Sequence, residues 1–152
     1  VSSGADHAHR SGSPDPGEVD YRLARATRLE AFRTGRASQL EVCDAQPELM
    51  RNAERASRRT RRQCPICDHR HLVEVTYVFG PRLPPSGRCI TSPGELDTLA
   101  QRAGRHEAYI VEVCPACRWN HLVRSHALRA DEAATGAPGA RRTRRSRGPN
   151  SS

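Results

Sequence analysis

The apolar positions of this chain change period near its middle. From Val19 to about Thr34, "VDYRLARATRLEAFRT" is rich in helix formers and is closed by Gly35, a residue suited to the left-handed conformation after a helix end. The stripe is Val19, Leu23, Ala26 and Leu29, with Tyr21 and Phe32 lying off it. "SQLE" at 38–41 is a capping box that starts a short second helix running to about Cys43. Pro47 then opens a third helix, "PELMRNAERASRR", with Leu49, Ala53 and Ala56 on a narrow apolar side. Two readings of this array stay open. One is a helix-turn-helix whose third helix offers Arg51, Asn52, Arg55 and Arg58 to a major groove; the other is a plain helical hairpin packed on the rest of the domain.

Beyond Cys67 the pattern becomes two-residue alternation. "LVEVTYVF" at 72–79 sets Val73, Val75, Tyr77 and Phe79 against Glu74 and Thr76, the signature of a half-buried strand. "GPRLPPSGR" breaks it. "SPGELDTLAQRAG" predicts an inserted helix over 93–103, with Ser92 as N-cap, Glu95 closing a second capping box and Gly104 as the stop. "EAYIVEV" at 107–113 and "HLVRSHAL" at 121–128 predict two more strands. The fold class expected is α+β: a helical segment over 18–62, then a domain of short antiparallel strands over 63–130. Residues 1–17 and 131–152 carry almost no apolar content and read as disordered tails.

Two strands flank a repeated motif. "CPICDHRH" begins at Cys64 and "CPACRWNH" at Cys114, and each CPxC turn can aim two sulfurs at one point. Together Cys64, Cys67, Cys114 and Cys117 make the four-thiolate set that Zn²⁺ accepts in closed structural sites. The rival is two separate thioredoxin-like redox pairs, which want each motif at a helix N-terminus; strands on both sides of the second motif argue against it. The residue after each knuckle, Asp68 or Arg118, must take a left-handed conformation that arginine tolerates poorly. Four thiolates leave no open coordination position, so hydrolysis at the metal is not expected, and His69, His71, His121 and His126 are read as surface groups or as donors toward sulfur. Cys43 and Cys89 are spare: Cys43 reads as a small buried residue, and Cys89 in its Pro/Gly loop as the more oxidisable thiol.

Charge adds a direction. The 152 residues carry a formal charge of +8, and all 25 basic residues are arginine. Part of that bias reflects a GC-rich codon supply, yet arginine binds phosphate and carboxylate bidentately whatever its origin. The densest run holds Arg51, Arg55, Arg58, Arg59, Arg61 and Arg62, just before the first knuckle. A second candidate surface surrounds the sole tryptophan: Arg118, Trp119, His121 and Arg124. Trp119 either covers the metal site or offers a stacking platform. Arg141, Arg142, Arg144, Arg145 and Arg147 make the C-terminal tail basic as well. No run of about 18 apolar residues is present to span a membrane, and the N-terminus has no apolar signal segment, so a cytoplasmic location is expected. In that reducing compartment six cysteines point to metal ligation or redox chemistry rather than a disulfide scaffold.

"GRASQLEVCDAQPELMRNA", the two knuckles and "YIVEVCPACRWNHLVRS" together resemble a small actinobacterial zinc-ribbon family that is a domain of unknown function. The likeness covers roughly residues 18–128 and is most specific in EVCDA and CRWNHL. It implies a cytoplasmic bacterial zinc-ribbon protein with one structural Zn²⁺ and assigns no activity. The expected function is therefore a non-catalytic adaptor that contacts nucleic acid, or a nucleic-acid machine such as RNA polymerase or the ribosome. An acidic protein surface is the other partner class. The alternatives are a thiol redox switch that releases zinc, and a structural partner of another protein. No nucleophile paired with a base, phosphate loop or open metal site suggests an enzyme.

Overall fold

The computed structural model describes residues 17–129; both tails predicted to be disordered lie outside that range except for Gly17. Among the described residues the order is β1 (Glu18–Asp20), α1 (Arg22–Arg33), α2 (Gln39–Val42), α3 (Pro47–Arg55), β2 (Ser57–Gln63), β3 (His71–Phe79), β4 (Arg88–Cys89), α4 (Pro93–Ala100), β5 (Glu107–Val113) and β6 (Asn120–Ala127). The α+β class holds. The strands form one antiparallel sheet in the order β1-β6-β5-β3-β2, with β4 paired to the end of β3. None of the described helices is long and apolar enough to cross a membrane.

The alternating segments fold as their pattern dictates, and β3 and β5 pair in register from Val73↔Val113 to Phe79↔Glu107. Burial shows what alternation alone could not. On β3, Leu72, Val73, Glu74 and Val75 are all buried, because the strand is covered on both faces. Glu74, expected on a solvent face, is only 5% exposed. On one face Val73, Val75 and Val113 pack with Ala53, Leu49 and Met50 of α3. Toward the far end, Val78 and Ala108 pack with Ile90 and with Leu96 and Leu99 of α4.

Three local expectations are corrected. Residues 18–20 are a strand rather than the first helical turn: Val19 pairs with Ser125, and the Tyr21 amide donates to the Val123 carbonyl. The side of α1 that faces inward is also not the predicted stripe. Leu23 is 86% exposed, while Arg25, Arg28, Leu29 and Phe32 turn toward the protein. The third helix stops at Arg55, since Ser57 Oγ donates to the Ala53 carbonyl and the chain leaves as β2. β2 reads "SRRTRRQ", with no apolar residue; its strand state comes from its pairing with β3 and from Thr60 Oγ1 donating to the Leu72 carbonyl at 2.7 Å. The helix-turn-helix reading falls with it: Arg58 is on β2, Leu49, Met50 and Ala53 pack on the sheet, and Asn52 Nδ2 donates to Tyr77 OH.

The two predicted capping boxes part company. At α2 the Ser38 side chain accepts from the Glu41 amide and the Glu41 carboxylate accepts from the Ser38 amide, both as expected. At α4 the Ser92 side chain caps nothing; Glu95 accepts from the Thr91 amide and hydroxyl instead. The helix ends at Ala100, short of the expected 103. Gly104 has φ +95°, and a Cβ there would lie 2.8 Å from the Pro81 ring, so this position needs glycine on two counts.

Candidate metal centre

The two knuckles are turns between strands, β2 to β3 and β5 to β6, and they are built alike. The amides of Asp68 and Arg118 donate to the carbonyls of Cys64 and Cys114, and the amides of Ile66 and Cys117 donate to the sulfurs of Cys64 and Cys114. Both turns close with a non-glycine residue in the left-handed region, Asp68 at φ 56° and Arg118 at φ 73°. For Arg118 this is a real cost, accepted where the turn must aim its sulfurs.

The four sulfurs of Cys64, Cys67, Cys114 and Cys117 all lie within 4.8 Å of one another. Cys64 and Cys117 are 3.5 Å apart, and Cys67 and Cys114 are 3.7 Å apart. A tetrahedron of sulfurs about 2.3 Å from a zinc ion has edges of about 3.8 Å, so the set fits one tetrahedral ion closely. The four thiols form one cluster rather than two separated pairs. Cys64 and Cys114 are buried; Cys67 and Cys117 are partly exposed.

The thiols sense one another. Burial pushes Cys64 up to about 11 and Cys117 up to about 12, and it raises Cys114 as well. At Cys67 burial works the same way, but hydrogen bonds from the His69 backbone and from the other three sulfurs outweigh it and hold the thiol below its ordinary value. Three of the four thiols therefore hold their protons more tightly than an ordinary cysteine, and Cys67 less tightly.

Trp119 is fully buried, in a cluster with Leu29, Val42, Cys43, Cys64, Leu72 and Cys114. It covers the cysteine cluster, and its burial leaves no exposed stacking platform. Its ring has the Arg28 guanidinium 5.0 Å from the centroid and the His121 ring stacked 5.9 Å away. Burial lowers the His121 pKa, and its Nδ1 bonds the Leu122 carbonyl; among the described residues the clustered ligand atoms are those of the four cysteines. Trp119 Nε1 donates to Glu112 Oε1 at 3.0 Å.

Glu112 is the residue that the sequence pattern hides. It is fully buried and stands directly across from Glu74 in the β3–β5 register, an arrangement of like charges that would destabilise the sheet if left uncompensated. Arginines drawn from three elements resolve it. Arg62 bridges both carboxylates, at 2.8 Å from Glu112 and 3.2 Å from Glu74. Arg25 of α1 pairs with Glu112, and Arg58 pairs with Glu74 at 2.9 Å, while Arg124 stands 4.0 Å from Glu74. The available signal is the repeated "VEV" in two strands, a charge inside an apolar run.

The predicted partner surface is thereby divided. Arg58, Arg62 and Arg124 are engaged by buried carboxylates, and Trp119 and His121 belong to the packing over the knuckles. Arg51, Arg55, Arg59, Arg61 and Arg118 are exposed, with no ion pair among the described residues. Cys43 is buried in the core as expected, and its thiol also donates to Cys117 Sγ at 3.5 Å. Cys89 lies on β4 against the α3 side of the sheet, with burial raising its pKa, rather than in an open loop.

Comparison with known proteins agrees with the resemblance drawn from the motifs. The chain is 39% identical over 129 residues to uncharacterized proteins of Mycobacterium tuberculosis (strains H37Rv and CDC 1551) and Mycobacterium bovis, an alignment covering 85% of this chain and 94% of each relative. No solved structure matches it significantly. Residues 15–144 match the family of unknown function DUF5318, and with its two knuckles and the segments around them the chain belongs to that family.

Proposed function

We propose that this protein is a non-catalytic zinc-ribbon adaptor that presents arginines to a polyanion, the phosphate backbone of a nucleic acid within a nucleic-acid machine. The observation that carries the reading is the set of exposed arginines without an ion pair among the described residues: Arg51 and Arg55 on α3, and Arg59 and Arg61 on the edge strand β2. Buried carboxylates take up their neighbours Arg58 and Arg62 but not these four. With Trp119 buried, recognition rests on phosphate contacts and discriminates little between sequences. Zinc is the ion whose preferred ligand type and geometry the four cysteines meet, and four protein ligands leave no position for a reactive water.

Binding of fluorescent duplex DNA and single-stranded RNA to the zinc-loaded protein across a salt series tests this. Each phosphate neutralised contributes about −0.9 to the log–log slope on duplex and about −0.7 on single strands. Replacing Arg51, Arg55, Arg59 and Arg61 together with glutamine is expected to flatten that slope by several units while the fold stays intact. No binding to either nucleic acid at low salt defeats the reading and moves the same four arginines to a test against acidic protein surfaces.

A further inference from the structure

Cys43 sits at the end of α2, 9% exposed, with its sulfur 3.5 Å from that of Cys117. This closeness is built from both sides. Arg28 Nη2 donates to the Glu41 and Val42 carbonyls just before Cys43. Just after it, the Asn120 side chain donates to Asp44 and the Ala45 amide donates to the Arg118 carbonyl, tying the chain beyond Cys43 to the residues that follow Cys117. Cys117 is also one of the two partly exposed ligands, whereas Cys64 and Cys114 are buried. Of the exposed two, Cys67 has its close sulfur contact with another ligand, Cys114, while Cys117 touches both a ligand, Cys64, and a thiol outside the set, Cys43.

From this geometry we propose that Cys117 is an oxidation site for hydroperoxides and that Cys43 is its resolving thiol, the pair closing to a disulfide. As a ligand in the zinc-loaded protein Cys117 would have lost its proton despite its burial; its sulfur attacks the outer oxygen of the hydroperoxide, the O–O bond breaks, a sulfenic acid forms, and the leaving oxygen takes up a proton as water or an alcohol. The Cys43 sulfur then attacks the sulfenic sulfur. The S–S bond forms, the S–O bond breaks, and hydroxide departs with the Cys43 proton as water, so two thiols lose two electrons and one O–O bond is reduced. The sulfurs close from 3.5 Å to about 2.05 Å. This disulfide removes one metal ligand and leaves three, where a disulfide within a CPxC pair would remove two. A dithiol reductant reverses it.

The proposal rests on the reading of the four cysteines as a metal centre and is independent of nucleic-acid contact. The test treats the full-length zinc-loaded protein with hydrogen peroxide, following zinc with a metallochromic chelator and mapping disulfides in non-reduced digests. The expected first disulfide joins Cys43 to Cys117, appears in step with zinc transfer to the chelator, and disappears with dithiothreitol as zinc binding returns. Cys43→Ser, and Cys43→Ala as a second variant, should carry zinc before oxidation, accumulate Cys117 with two added oxygens after it, and fail to recover zinc on reduction. Cys89→Ser should behave as the wild type. A first disulfide joining Cys117 to Cys64 or to Cys114, or Cys64 to Cys67, or zinc recovery in the Cys43 variants as complete as in the wild type, overturns the proposal. Mapping on the wild type decides the pairing even if both variants misfold, and a wild-type protein that holds no zinc before treatment counts against the metal centre instead.

Discussion

The two ends of the sheet are held together by different physics. At the α4 end the core is aliphatic: Val78, Ile90, Leu99 and Ala108, with Leu83, Leu96 and Leu128 around them. At the knuckle end, three of the seven buried core residues are cysteines, α2 has four residues, and two arginines of α1 lie over a buried tryptophan, one of them, Arg25, pairing with the buried Glu112. Converging four sulfurs on one point requires tight turns, and tight turns bury little hydrocarbon. The comparison teaches that the knuckle end is organised around its cysteine cluster and a closed polar network, whereas the core of the α4 end is aliphatic contact.

The largest break in that symmetry should come from removing the metal. Structural zinc contributes on the order of 10 kcal/mol of folding free energy in small domains. Chelation, or Cys114→Ser, is therefore expected to abolish the cooperative unfolding transition and expose Trp119, read by its fluorescence. An apo protein with an unchanged midpoint contradicts this account.

Next in size are two core truncations at opposite ends. Trp119→Ala should cost about 3–5 kcal/mol, and Leu99→Ala about 2–5 kcal/mol. Similar losses of stability should have different consequences. Zinc should pass faster to a chelator in the tryptophan variant, because Glu112 loses a donor and the cover over Cys64 and Cys114 is gone. It should stay as tightly held in the Leu99 variant, whose site has no contact with the knuckles. Equal zinc retention in both would dissolve the distinction between the ends.

The smallest effect sharpens it at the helix starts. Ser38→Ala removes a formed cap beside the metal end and should lower stability by about 1 kcal/mol. Ser92→Ala removes a side chain that caps nothing, and denaturant midpoints should place it within about 0.5 kcal/mol of the wild type. The same four-residue pattern, S-x-x-E, is thus expected to matter at one site and not at the other.

That contrast shows where legibility ends. The knuckles, strands β3, β5 and β6, the Pro47 helix start and the α2 cap are readable because each depends on residues close together in the chain. The Ser92 cap misleads because Thr91, one residue earlier, competes for the same glutamate. β2 is invisible because an arginine-rich edge strand carries no apolar alternation, and its conformation is supplied by hydrogen bonds from β3. The inward side of α1 cannot be judged from its apolar residues because what waits for it is a tryptophan face and a carboxylate, partners suited to Arg25 and Arg28 rather than to Leu23.

By itself, then, the amino-acid order determined that four thiols would meet between short antiparallel strands, since two CPxC turns and alternating flanks admit few other arrangements. Only the tertiary structure decided which arginines are consumed and which are left to a partner, that Glu74 and Glu112 face each other in the interior, and that Cys43 rests against Cys117. The physical reason is range: periodicity and capping are encoded over a few residues, while charge compensation and sulfur contact depend on groups brought together from distant parts of the chain, here from α1, the end of α2, β2, β3, the β5–β6 turn, β5 and β6.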